Sequence, residues 1–141
     1  MNLSNERIQR FLGSRPVVVL ATVQADGAPL AMPMWFLHDA SEITMITIEG
    51  TQKVRNLRRD PRVCVVAEAG GDPGAEGGVR GVSVRGRAEF VSDGDERRAF
   101  AERFLVKYHP RVEQLWGGRV MPANRVAFRI VPTRVRSWGL E

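Results

Sequence analysis

The chain has 141 residues and a mass of 15.7 kDa, the length of one ordinary domain, so a single domain over residues 1–141 is expected. With 43% hydrophobic and 26% charged residues it sits near the globular average, which excludes a disordered or fibrous chain, and its one cysteine, Cys64, excludes a disulfide framework or a cysteine-rich zinc site. Twenty-one Lys and Arg against sixteen Asp and Glu give +5, an imbalance that asks for an anionic partner.

Ser4 as N-cap, acidic Glu6 and apolar Ile8, Phe11 and Leu12 at helical spacing predict a short helix ending near Gly13. Stretch 1–7 is charged where a signal peptide would be apolar, and no run approaches the ~20 apolar residues of a membrane span, so a cytoplasmic protein with no membrane partner is expected. Pro16 to Val23 is a β-branched run, and the turn Ala25-Asp26-Gly27 predicts a hairpin into a second strand from Pro29 to Leu37. Pro33 has no N–H for a ladder, which puts it at an edge, at a bulge, or where something other than a strand approaches. His38 to Ser41 reads as a surface turn into a third strand, Glu42 to Ile48.

Residues 52–60 predict about two turns of helix packed by a narrow apolar edge of Val54 and Leu57 and stopped by Pro61. Arg62 to Ala67 is a fourth strand, with Cys64 a small buried hydrophobe. Gly70 to Gly78, with five glycines and a proline, reads as a mobile loop. Gly81 to Val91 alternates as a fifth strand, with Val82, Val84, Gly86, Ala88 and Phe90 on one face. Ser92 to Glu96 make a capped, acidic start to a helix through Phe100, Phe104 and Leu105 towards Tyr108. A second short helical piece follows His109-Pro110 up to Gly117-Gly118, with His109 placed to meet a helix C-terminal dipole. Arg125 to Val131 and Arg134 to Trp138 close the chain as two more strands. Strands linked mainly by hairpins favour a mainly β (α+β) fold with an antiparallel sheet or barrel.

Charge is concentrated in one place. The twelve residues Thr51 to Arg62 carry +4 of the total +5. They begin at a predicted helix N-terminus, where free N–H groups and the helix dipole favour an anion, Thr51 offers a hydroxyl and Lys53 a point charge. The spacing is not that of a Walker nucleotide loop, and a solvated basic helix face explains the pattern equally well. Few aromatics flank the stretch, which argues against nucleic acid as the partner.

The Asp-Gly hairpin, the strand carrying Pro33-Met34-Trp35-Phe36, the strand ending at Thr47, then Gly50-Thr51-Gln52-Lys53-Val54-Arg55-Asn56-Leu57 and Asp60-Pro61-Arg62-Val63 together resemble the flavin-binding split β-barrel superfamily. That superfamily includes pyridoxamine 5′-phosphate oxidase and relatives that use FMN or the deazaflavin F420. The resemblance implies an antiparallel split β-barrel of about six strands with a few peripheral helices. It also implies a homodimer with a cofactor in each of two clefts between subunits, and hydride transfer to or from a small-molecule substrate. By position it puts the flavin ring along Met32, Pro33 and Met34 and the ribityl and phosphate groups on Thr47, Thr51, Gln52 and Lys53, with Arg58 and Arg59 extending the basic surface. Arg80, Ser83 and Trp138 are the residues a second subunit would supply. Two departures matter: Met32 and Leu37 stand where the true oxidases carry Arg and Lys, and the C-terminal arginine and histidine pattern is missing. Oxidation of pyridoxamine phosphate is therefore not expected. F420, a longer anion that Lys53, Arg55, Arg58 and Arg59 would meet, is slightly favoured over FMN. A flavin or tetrapyrrole carrier on the same fold is the alternative. No nucleophile–base or paired-carboxylate arrangement can be argued from the spacing, so no catalytic side chain and no metal ligand is named; in such enzymes the cofactor carries the chemistry.

Overall fold

Four helices and seven strands make up the described residues, 2–70 and 78–140, of a computed structural model of the chain. In order they are α1 (Glu6–Gly13), β1 (Val18–Val23), β2 (Pro29–Met34), β3 (Leu37–His38), β4 (Ile43–Ile48), α2 (Gln52–Arg59), β5 (Arg62–Ala69), β6 (Arg80–Val91), α3 (Gly94–Tyr108), α4 (Arg111–Trp116) and β7 (Arg125–Trp138). All strand pairs are antiparallel, and the sheet order is β2-β1-β5-β6-β7-β4-β3. Its two edge strands, β2 and β3, are joined through Trp35 and Phe36 alone. A sheet whose edges are only two residues apart in the chain must curl, and the result is a split barrel. Alternation then decides what lies inside: Val18, Leu20, Met45, Val65, Val82, Val84, Phe128 and Ile130 fill the interior, joined by Ile8, Phe11 and Leu12 of α1. A second cluster seats α3 outside the sheet, where Phe100, Phe104 and Leu105 meet Leu37, Val91 and Ala127.

Several local expectations change. The N-cap of α1 is Asn5 rather than Ser4, its side chain accepting from the N–H groups of Arg7 and Ile8. The second strand stops at Met34. His38, read as a surface turn, instead sits half-buried in β3 with Nδ1 2.8 Å from Gln9 Oε1, and burial lowers its pKa. Cys64 is half-exposed, because the even-numbered residues of β5 face outward while Val63, Val65 and Ala67 point into the core. Of the predicted 70–78 loop, residues 71–77 lie outside the described residues.

The two expected final strands are one, β7, because a bulge absorbs the irregularity. Arg85 pairs with Arg134 and Gly86 with Pro132, which leaves Thr133 without a partner on β6. Ile130 and Val135 are both buried although strict alternation would put them on opposite faces; the extra residue restores the register. Pro132 is tolerated because β4 reaches only to Ile130, so the missing N–H faces no neighbour on that side.

The linker that closes the barrel is pinned by the end of α3. The Phe36 N–H donates to Tyr108 Oη at 2.9 Å, and Tyr108 Oη donates to the Pro16 carbonyl at 2.8 Å. Lys107 Nζ donates to the Phe36 carbonyl at 2.8 Å and lies 3.6 Å from the centre of the Phe36 ring. Tyr108→Phe would leave a buried N–H unpaired and is expected to cost about 1–3 kcal/mol in a denaturant melt. Burial, with Arg103 adding repulsion, lowers the Lys107 ammonium to about 8 from 10.5. Between those values the unfolded chain holds a proton the folded chain has lost, so stability is expected to rise as pH climbs from 8 towards 10. Melting curves across that range would show the rise in the parent chain and a smaller one in Lys107→Met, where Lys53, also lowered by burial, still contributes.

Candidate functional site

The most basic stretch of the chain folds as α2 and the turn before it. Gly50, at φ 83°, reverses the chain out of β4, and Thr51 takes the N-cap position with extended backbone. Thr51 Oγ1 donates back to the Ile48 carbonyl at 3.0 Å and does not cap the helix. The first intrahelical bond runs from Arg55 N to Thr51 O, so the N–H groups of Gln52, Lys53 and Val54 have no helical acceptor and no acidic residue stands in the first turn. By contrast, α1 and α3 are capped by Asn5 and Asp93 and carry acids in their first turns.

A polar clamp fixes this helix end on the barrel. Asn56 is fully buried, and its Nδ2 donates to Thr22 Oγ1 of β1 at 3.0 Å while its Oδ1 accepts from Gln52 Nε2 at 2.9 Å. Arg59 donates to the Val23 carbonyl and to Asn56 Oδ1, and Arg55 donates to the Gly50 carbonyl and to Gln52 Oε1. The buried edge of Val54 and Leu57 is as the spacing predicts, but the role of Asn56 and Thr22 is not. The signal was there: an amide between two core positions of a helix needs a partner when buried.

Lys53 differs from its neighbours. It is half-buried, burial lowers its pKa, and among the described residues its ammonium has no hydrogen-bond or ion-pair partner. A desolvated cation beside three free backbone N–H groups is what a phosphate would neutralise. Arg58 is engaged elsewhere, with Glu49 at 2.7 Å and over the Phe90 ring at 4.2 Å. Arg55 and Arg59 are likewise taken up by the clamp. Of the longer anion-binding row expected from Lys53, Arg55, Arg58 and Arg59, the three arginines are held by the chain's own acceptors and Lys53 has none among the described residues.

The other expected contacts fall into two groups. Thr47 is half-buried on the inward face it shares with Ile43 and Met45, just ahead of the turn into α2. Met32, Pro33 and Met34 lie on β2, which pairs only with β1, so Pro33 does sit on an edge strand. Met34 turns into the core, whereas Met32 and Pro33 are exposed. Leu30 of the same strand is opposite Thr22, so this edge starts beside the α2 clamp. Trp138 is far away. It lies across Gly81, where a Cβ would come within 2.3 Å of the indole, at the opposite end of β6 from the Phe90 that Arg58 covers. At the ~3.3 Å rise of a strand, Gly81 and Phe90 stand roughly 30 Å apart. Arg80 and Ser83 share the Trp138 end. The chain thus sets Thr51, Gln52 and Lys53 at the start of α2, Thr47 just ahead of that turn and Met32, Pro33 and Met34 along the β2 edge that begins beside the clamp, while Trp138, Arg80 and Ser83 lie at the other end of β6.

Comparison with known proteins gives a consistent frame. A family profile described as pyridoxamine 5′-phosphate oxidase matches residues 4–139. A conserved hypothetical protein of Mycobacterium tuberculosis is similar at 34% identity and a TM-score of 0.80, over 97% of this chain and 86% of that one. A candidate pyridoxamine 5′-phosphate oxidase of Listeria innocua is similar at 25% identity and a TM-score of 0.73, over 95% and 97% of the two chains. The haem storage protein HutZ of Vibrio cholerae shares the fold, with 18% identity and a TM-score of 0.75 over 96% and 94%. No curated protein matches the chain.

Proposed function

The chain belongs to the pyridoxamine 5′-phosphate oxidase family, and from that premise we propose that it is a homodimeric oxidoreductase transferring a hydride between bound FMN or F420 and a small organic substrate other than pyridoxamine phosphate. The observation that carries this reading is Lys53, a half-buried cation without a partner at an uncapped helix start. The free N–H groups of Gln52, Lys53 and Val54 and the Lys53 ammonium would hold the phosphate, the Thr51 hydroxyl stands beside them, and the edge of β2 at Met32 and Pro33 would border the ring. When bound, the ring system supplies the hydride donor or acceptor. The protein's part is to hold the phosphate through the α2 clamp and to fix the β2 edge through the Trp35-Phe36 linker.

The separation of Trp138 from Lys53 supports a dimer, since one chain cannot close both groups around a single small molecule. So does the outer face of β2, β1 and β5, where Val19, Ala21, Pro33, Cys64 and Val66 leave an apolar, small-residue surface that no helix covers among the described residues. The test is titration of the purified protein with FMN and with F420, followed by cofactor fluorescence, alongside its mass in solution. Binding of neither cofactor at low salt, or a monomer that binds normally, overturns the reading.

A carrier role is the second reading, favoured by the shared fold with HutZ and with a haem-binding protein of Mycobacterium smegmatis at 21% identity. The histidines favour it less, since His38 is bonded to Gln9 and His109 to Glu113 at 2.5 Å. Haem binding in preference to either flavin, or binding without turnover of the reduced cofactor, decides for the carrier.

A further inference from the structure

Lysine is rare in this chain. Nineteen of its twenty-one basic side chains are arginines, and the two lysines are Lys53 and Lys107. An arginine stays charged at any working pH, whereas a lysine can give up its proton and become a nucleophile. Lys53 stands at the start of α2. Lys107 lies elsewhere, in the last turn of α3 and over the linker that closes the barrel.

Among the described residues the Lys107 ammonium makes no ion pair. One of its N–H groups goes to the Phe36 carbonyl, and the centre of the Tyr108 ring lies 5.2 Å from Nζ. Arg103, one turn earlier on the same face of α3, adds a second positive charge and donates to the His38 carbonyl at 3.2 Å. His38, which both cations face, is held towards its neutral form by burial and then by their charge. The carboxylate beside this cluster is Asp39. It accepts from the Ser41 and Glu42 N–H groups and the Ser41 hydroxyl, and it acts on His38 and Arg103 rather than on Lys107. With the ammonium lowered to about 8, roughly a tenth of the chains hold the neutral amine at pH 7, where an ordinary lysine leaves under about a thousandth.

We propose that Lys107 is a carbamate site: its neutral amine adds to dissolved carbon dioxide, and Arg103 holds the product. The Nζ lone pair forms a bond to the carbon, one carbon–oxygen π bond opens onto oxygen, and the amine releases one proton to water. A carbamate keeps an N–H, so the hydrogen bond to Phe36 is retained. Its new carboxylate stands one helical turn from a guanidinium whose other N–H donors have no acceptor among the described residues. Two like charges beside the linker become an opposite pair. Carbon dioxide is also small enough for an amine bounded by the Phe36 ring and carbonyl, where a bulkier acyl group would meet a fully buried side chain.

The test equilibrates the folded protein with 13C-bicarbonate at pH 8 and reads it by 13C NMR, and by peptide mass after the carbamate has been trapped as an alkyl ester. The expected result is a carbamate resonance and a trapped adduct on the peptide containing Lys107. That adduct should be retained in Lys53→Met and absent in Lys107→Met and in Lys107→Arg, the second of which keeps the charge and a donor. Arg103→Met changes an exposed residue and leaves the amine in place; it should lower the Lys107 adduct about two- to fivefold, the worth of an exposed pair one helical turn apart. An adduct confined to the N-terminal amine or to Lys53, an equal Lys107 adduct in the urea-unfolded chain, or no fall in Arg103→Met would each overturn the assignment.

Discussion

Gly86→Ala is expected to destabilise the chain by roughly 3 kcal/mol, the upper end of what an added methyl group costs in a packed interior. A Cβ at this position would lie 2.4 Å from the Val131 carbonyl oxygen and 2.9 Å from Ile130 Cγ2. Ile130 could rotate; the carbonyl could not, because it belongs to the strand that Gly86 pairs with. Gly86 faces Pro132, beside the register shift, so relief would require re-registering β6 and β7, the longest pairing in the sheet. Every residue of β7 beyond the bulge depends on that register, Val135 for its place in the core and Trp138 for its seat on Gly81. Against the 5–15 kcal/mol that holds a typical domain together, such a loss should lower the melting temperature by about 10 °C. Gly94→Ala is the control. Nothing lies within 4 Å of the Cβ it would add at the start of α3, so it should melt at or above the parent. If the two variants melted alike, the close approach at Gly86 would not be what fixes the bulge.

The same bulge marks the limit of what the sequence reveals about the fold. Strand positions were legible wherever one face alternates, as at Val82, Val84 and Ala88, because period two leaves a strong trace. Pro132-Thr133 reads as a break between strands, since proline is excluded from central ladders; only the sheet order, with β4 ending at Ile130, shows that its missing N–H faces no neighbour. His38 and Cys64 were misplaced for a related reason. Their burial depends on α1 and β6, elements distant in sequence, and local composition does not carry that information. At the candidate site, the charge of 51–62 was visible as a sum, but not its partition. Folding commits Arg55, Arg58 and Arg59 to carbonyls, Asn56 and Glu49, and leaves Lys53 as the one cation of α2 without a partner among the described residues.

That partition makes Lys53 the residue whose loss should be felt most in binding. Lys53→Met keeps the apolar stem and removes the charge, and it is expected to weaken binding of FMN or F420 by about 10- to 100-fold, the range of a charge-assisted hydrogen bond to a phosphate. Its effect on stability should have the opposite sign. A half-buried ammonium without a counter-ion destabilises the folded chain, and burial already lowers its pKa, so the methionine variant should melt at or above the parent when no cofactor is present. Added cofactor should raise the melting temperature of the parent and leave that of the variant nearly unchanged, because a ligand stabilises the fold only to the extent that it binds. Arg58→Met provides the contrast: its guanidinium already holds Glu49 and covers Phe90, so its loss should leave cofactor affinity close to the parent's. Should Arg58→Met weaken binding as much as Lys53→Met, the anion would be held by the whole basic face of α2 rather than by its first turn. A side chain kept where it costs stability and needed only once an anion arrives is selected for binding, and Lys53 is the position in α2 where those two demands separate.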